Sequence, residues 1–450
     1  MFSGYGKGGL FIQNRYDLAV VGGGAAGLTA AVAAAEEYIK RHKHARIVVL
    51  EANSRVGKKI LATGNGRCNL TNSGIDPIHY HGDTSFLPDF LSHYPPEKII
   101  SFFQSIGLVC REQDEGRVYP YNLQASAVLD VLRRQLEHFQ VETICDFPVT
   151  RLKKTAQGFE LFRETESVTA AKVIVATGGM AYPQLGANGS GYQILKELGH
   201  NCTKLIPSLV QVTTEPRRAK PLKGARSPAR ASLYADGKLI AESSGEVQFT
   251  ERGLSGICIF ELSRMVGERY GRQKLELSLD LMPEYPLERI VEFLKQRSEI
   301  EELPALELCS GFLNKLVAPE VVKAALPHVP KTVGELDEHQ LEEVARTVKR
   351  FRFPVTGTLD WKDAQVTAGG IPLDEVDSNL QSRCCPGLYL AGEILNIDGD
   401  CGGFNLHWAW STGLAAGRSA AKAESEGEKG LGKPKKSSPR RETGNQKRRK

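Results

Sequence analysis

The sequence has no apolar run near the roughly 20 residues that a membrane-spanning helix needs; stretches such as Leu28 to Ala35 fall far short. Its Gly-rich start, Met1 to Leu10, has no signal-peptide apolar region, so a cytoplasmic, non-membrane protein is expected. The nine cysteines, at 68, 110, 145, 202, 258, 309, 384, 385 and 401, form no CxxC pair and no Cys/His zinc spacing. An odd, scattered set suits a reducing compartment and assigns no metal site. No nucleophile cluster stands out either. What remains is a chain of 450 residues, 41% hydrophobic, long enough for two or three domains with cores of their own.

Charge is unevenly placed. The net charge is +5, but Gly432 to Lys450 carries nine Lys/Arg and one Glu, a local +8 that leaves the body near −3. With almost no apolar residues this tail is expected to be a disordered solubilising end. Its sharper reading is loose contact with a polyanion, so any nucleic-acid binding is expected to run through it.

Near the N-terminus, Tyr16 to Val21 has a strand pattern and runs into Gly22-Gly23-Gly24-Ala25-Ala26-Gly27, which fits G-x-G-x-x-G. Gly22 permits the tight turn, Gly24 admits a pyrophosphate and Gly27 allows close helix packing. Leu28 to about Lys40 follows as a helix, whose free N-terminal amides favour a pyrophosphate. A second strand, Arg46 to Glu51, ends on a carboxylate 24 residues after Gly27, suited to a ribose diol and unsuited to a 2′-phosphate.

FAD and NAD present the same ADP to such a unit, and the rest of the chain points to FAD. Val173 to Thr177 is a strand ending in Gly178-Gly179, and Gly387 to Gly392 is another, followed by Glu393, which can bond ribityl hydroxyls. Gly402-Gly403-Phe404-Asn405-Leu406 opens a helix whose amides can face the electron-rich end of an isoalloxazine.

The string Gly57 to Asn72 contains GNGRCNLTN and follows the ribose-binding strand. Together with Ala176 to Gly179, Gly245 to Thr250, Gly253 to Gly256 and Leu388 to Glu393, it resembles the aminoacetone oxidase/BaiN-like flavoproteins from Tyr16 to Gly417. The chain departs from that pattern at Ile257, where relatives usually show Pro, at Asn396, where Asp is common, and at His407, where Gln is frequent. None of these removes a glycine of the cofactor frame.

The resemblance implies an α/β fold: a Rossmann-type FAD-binding domain of the two-dinucleotide-binding-domain flavoprotein type, interrupted by an insert with a small β-barrel and a helical subdomain. The expected division is 1–200 for the first part of the FAD domain and 201–363 for the insert, which covers the flavin and selects substrate. Residues 364–425 form the return segment and 426–450 the basic tail. Within the insert, Pro207 to Phe260 reads as short strands and turns, and Leu287 to Lys349 as mainly helical packing.

The residues assigned to the cofactor are Gly22, Gly24, Ala25, Ala26 and Gly27; Glu51 and Ala52; Lys59, Thr63, Gly64, Asn65, Gly66, Arg67, Cys68 and Asn69; Val149; Thr177, Gly178 and Gly179; Gly392 and Glu393; and Gly402, Gly403, Phe404, Asn405 and Leu406. Arg67 is read as a cation near the cofactor and Cys68 as packing at the flavin edge. Tyr182 and His200 are weaker candidates, and no catalytic acid or base is assigned.

The expected function is an FAD-dependent oxidoreductase acting on a small organic substrate, since flavin chemistry asks few reactive side chains of the protein. One fingerprint serves FAD, and Gly186 to Gly191 has the wrong spacing for a second. Either NAD(P)H binds transiently as donor, as the reductase branch of the resemblance suggests, or an amine or amino ketone reduces FAD and oxygen reoxidises it. A flavoprotein with a role in RNA modification or binding is the alternative from another class.

Overall fold

The structure is a computed structural model and describes residues 15–423. The Gly-rich start and the basic tail, with the expectations attached to them, lie outside the described residues.

The central sheet runs Glu142–Ile144, Ile47–Leu50, Arg15–Val21, Glu166–Val175, then Gly158–Arg163 and Arg151–Thr155, with Leu388–Leu390 also paired to Glu166–Val175. Pairing is parallel among Arg15–Val21, Ile47–Leu50, Glu142–Ile144, Glu166–Val175 and Leu388–Leu390, and antiparallel from Gly158–Arg163 outward. The ten-residue strand Glu166–Val175 explains the mixture. Its first half forms a hairpin with Gly158–Arg163, and its last three residues pair with Leu388–Leu390, more than 200 positions on. Parallel strands covered on both faces are apolar throughout, as in the fully buried IVVL of Ile47–Leu50.

The fingerprint helix, Ala25–Lys40, packs on the C-terminal helix, Phe404–Lys422. Gly413 and Gly417 allow it: a Cβ added at either would lie 2.5 Å from Ala26 O or 2.2 Å from Ala30 O. The Trp410 indole N–H donates to Leu70 O at 3.0 Å, and Lys172 Nζ donates to Ala420 O at 2.7 Å near the helix's other end.

A second apolar core belongs to the insert. Six strands close a barrel in the order Val212–Thr214, Gly253–Ser255, Lys238–Phe249, Arg226–Ala235, Leu275–Asp280 and Phe351–Thr358. Helices Leu287–Ser298, Val317–Ala325 and Glu338–Lys349 share its core. The expectation of short strands is corrected here: Arg226–Ala235 and Lys238–Phe249 are ten and twelve residues long. Pro228 and Gly245 lie inside the ladder without ending it, while the hairpin turns at Asp236 and Gly237, both at positive φ. The chain enters and leaves the insert side by side, Ile206–Ser208 pairing antiparallel with Val366–Ala368.

Candidate flavin site

A cavity of about 860 Å³ lies along the carboxyl ends of the parallel strands and extends to the insert, where ligands sit in open α/β sheets. At one end is the fingerprint turn. Gly22 has φ +105°, and a Cβ there would lie 2.4 Å from Ala176 O. Gly27 serves packing, since its Cβ would lie 1.9 Å from Gly22 O, whereas a Cβ on Gly24 would meet nothing within 4 Å. Glu51 is 7% exposed, and its Oε2 accepts from Gly23 N at 2.7 Å. Its Oε1 accepts from Asn53 N at 2.8 Å and Asn53 Nδ2 at 2.6 Å. With two donors on Oε1 and one on Oε2, the carboxylate keeps one acceptor site, on Oε2, for a sugar hydroxyl.

Midway, Lys59 Nζ pairs with Glu393 Oε2 at 2.7 Å, and Glu393 Oε1 accepts from Thr367 N at 2.8 Å. Lys59, Glu393, Thr177, Gly178 and Gly392 all line the cavity.

At the far end the C-terminal helix begins from Gly403, φ +106°, whose added Cβ would lie 2.6 Å from Thr71 O and 3.0 Å from Asn69 Oδ1. Asn69 is 9% exposed, and its Oδ1 is a buried acceptor with no partner among the described residues. Such an atom asks for a donor from a bound group. The insert contributes Leu209, Ile257 and Phe260 to the same cavity wall, and the return segment adds Gln365.

Charged groups gather behind the far end. Asp400, in the cavity wall, meets His79 Nδ1 at 3.1 Å and His81 Nε2 at 2.9 Å. The bond to Asp400 holds the His81 imidazole above its ordinary value. Asp398 is buried against Arg264, Nε to Oδ 3.2 Å, and burial pushes its carboxyl up to about 6. Burial, with Glu261 and Asp400 nearby, holds the Cys401 thiol at about 12.

Of the residues assigned from sequence, Gly22, Gly24, Ala25, Ala26, Glu51, Ala52, Lys59, Thr63, Gly64, Asn65, Arg67, Asn69, Val149, Thr177, Gly178, Gly392, Glu393, Gly402, Gly403, Asn405 and Leu406 line this one cavity. Gly27, Gly66, Cys68, Gly179 and Phe404 are not in its wall. Cys68 is fully buried, its thiol pushed to about 12 by burial, and Phe404 stacks on His79 at 4.4 Å between centroids. Gly179 packs against Thr367, its added Cβ 2.3 Å from Oγ1. Tyr182 lines the cavity, whereas His200 is a structural link, Nδ1 to Glu375 Oε2 at 2.7 Å and Nε2 to Ser382 Oγ at 2.8 Å. Sequence reading missed Asn53, Arg117, Tyr119, Phe260, Asp400 and Cys401, all in the wall.

The model of the HI0933-like protein Rossmann domain matches residues 16–419. The chain belongs to the HI0933-like Rossmann family. It is 35% identical over 412 residues to a 3-dehydro-bile acid delta(4,6)-reductase of Clostridium scindens, covering 90% of this chain and 98% of that one. Over 419 residues it is 27% identical to a ribosomal RNA dihydrouridine synthase of Escherichia coli, covering 92% and 100%. Among solved structures, a 3-ketosteroid delta1-dehydrogenase from Sterolibacterium denitrificans aligns with TM-score 0.50 and 14% identity over 91% of this chain and 99% of that one, a likeness of fold. The expected kinship with BaiN-like flavoproteins therefore holds, and this HI0933-like chain is an FAD-dependent oxidoreductase. Among the described residues no helix is long and apolar enough to cross a membrane.

The wall fits FAD. Gly22 to Ala26 and Glu51 would hold the ADP moiety, Lys59, Gly178 and Glu393 the middle of the cofactor, and Asn69, Gly402 and Gly403 the ring end.

Proposed function

We propose that this protein is an NAD(P)H-linked reductase that saturates a carbon–carbon double bond conjugated to a carbonyl. The observation that carries this reading is the far end of the cavity. There a 19-residue helix begins, with Gly402, Gly403, Asn405 and Leu406 in the cavity wall that Leu209, Ile257 and Phe260 also line. The names of the two relatives support it, because a delta(4,6)-reductase of a 3-dehydro acid and a dihydrouridine synthase both saturate C=C bonds next to carbonyls.

FAD, when bound, supplies the two-electron step, taking hydride from a donor and giving it to the substrate. This chain's residues do the rest. The free amides at Gly403 and Phe404 stabilise negative charge at the helix end. Leu209, Ile257 and Phe260 exclude water. The Asp400 carboxylate, bonded to two part-exposed histidines, links the cavity to solvent for the proton that saturation consumes. No second dinucleotide fingerprint follows a strand among the described residues, so the nicotinamide is assigned to the same cavity, binding and leaving in turn with the substrate.

The test is anaerobic mixing of the yellow, FAD-loaded protein with NADH or NADPH, followed by a conjugated enone or a uridine-containing RNA. Bleaching by a nicotinamide and recovery of colour with either acceptor is the expected result. Bleaching only by amines or amino ketones, with oxygen restoring the colour, would establish the oxidase reading instead.

A further inference from the structure

The hairpin Cys110–Glu112/Arg117–Pro120 turns one face to the ring end of the cavity. Arg117 and Tyr119, two apart on one strand, share that face, and both are in the cavity wall. The Arg67 guanidinium, in the same wall, lies over the buried Tyr119 ring, 4.9 Å from its centroid. Arg67 Nε donates to Gly64 O at 3.3 Å. Its two terminal nitrogens have no hydrogen-bond partner, and no carboxylate lies within ion-pair distance, among the described residues. Among the described residues, the carboxylate that Arg117 pairs with is the exposed one of Glu115.

The backbone below holds this arrangement. Gly64, Asn65, Gly66 and Cys68 are all at positive φ, and Cys68 N donates to Thr63 O at 3.0 Å. A guanidinium laid flat on a fixed ring with its fork free suits the paired oxygens of a carboxylate or phosphate.

Its place along the cavity decides whose anion it takes. A Cβ on Gly64 would lie 3.0 Å from Asn69 N and 3.6 Å from Tyr119, and one on Gly403 would lie 3.0 Å from Asn69 Oδ1. Arg67 and Tyr119 therefore belong with the C-terminal helix, at the opposite end from the Gly22–Gly24 turn that suits the cofactor's pyrophosphate. We propose that Arg67, backed by Arg117, is an anion subsite for the substrate, which carries a carboxylate or phosphate a short distance from its reducible bond. The inference rests on the reading that reduction takes place at this end.

The test compares charged and uncharged forms of two probes, followed by the shift they cause in the flavin absorption of FAD-loaded protein. The pairs are uridine 5′-monophosphate with uridine, and cholate with its methyl ester. At least one charged form is expected to bind about 10-fold tighter than its uncharged partner. The preference should shrink at high salt and fall below about 2-fold in Arg67→Gln, with partial retention in Arg67→Lys. The pair that shows it identifies phosphate or carboxylate as the group taken. Lack of preference in both pairs, absence of binding included, overturns the proposal, as does a preference that survives in the Arg67→Gln/Arg117→Gln double variant. Failure of wild-type flavin to bleach with any nicotinamide counts against the reductase reading alone.

Discussion

His407 sits fully buried in the first turns of the C-terminal helix. Its Nε2 donates to Tyr94 O at 2.9 Å, which fixes the neutral tautomer, and Nδ1 then accepts from Thr71 Oγ1 at 2.7 Å. Burial lowers its pKa from 6.5 to about 4. Between those values the unfolded chain binds a proton here and the folded chain does not. The stabilisation is therefore complete above pH 6.5 and is lost as pH falls toward 4, in all about 3 kcal/mol, of which about 2 kcal/mol is gone by pH 5. Gln in this place keeps both bonds, its carbonyl accepting from Thr71 and its amide donating to Tyr94 O, yet cannot titrate. His407→Gln should match wild type at pH 7.5 within about 1 kcal/mol and exceed it by about 2 kcal/mol at pH 5. Urea unfolding at both pH values, read by the fluorescence of Trp408 and Trp410 with equal excess FAD, measures the difference. Parallel pH profiles for the two proteins would refute the assignment of a neutral, proton-excluding imidazole.

Other substitutions separate frame from cofactor. Gly24→Ala adds a methyl that meets no protein atom within 4 Å, so Tm should hold while FAD affinity, by fluorescence titration, falls about 10-fold as the wall closes in. Gly27→Ala pushes a methyl to 1.9 Å from Gly22 O and should cost upward of about 3 kcal/mol, seen as a large fall in Tm or loss of folded protein. Glu51→Ala strands the Gly23 and Asn53 donors and should lower stability by about 2 kcal/mol in urea melts as well as weaken FAD binding. Deleting residues 432–450 should leave FAD content unchanged; if RNA is bound, its salt-sensitive component should fall in filter binding.

Much of the frame could be read from residues because it depends on short-range rules. Strand, glycines, helix and terminal Glu51 follow one another within a single crossover, and Gly22 and Gly403 stand where positive φ excludes other side chains. Less legible were features that arise only when distant segments meet. Glu393 looked free for a ribityl chain, but Lys59, 334 positions away, already holds one of its oxygens. The stretch from 73 to 148 carried no expectation, yet it supplies Arg117 and Tyr119 from a hairpin of strands only three and four residues long, too short for alternation to show. His79, His81 and Asp400 are an unremarkable pair and a lone acid until Tyr80–Gly82 pairs with Ile397–Gly399. The stretch Pro207 to Phe260 was expected to hold only short strands, yet Arg226–Ala235 runs ten residues, and the register of Pro228 with Glu246 shows that a proline does not interrupt the ladder here.

Gly413 and Gly417 bring the last described helix against the first at backbone distance. During synthesis, the fingerprint turn leaves the ribosome long before residues 404–422 exist, so for most of translation the nascent protein offers only half a cradle. Flavin uptake is consequently an event of the finished chain, and a product truncated anywhere before Phe404 should emerge colourless however well its earlier parts have folded.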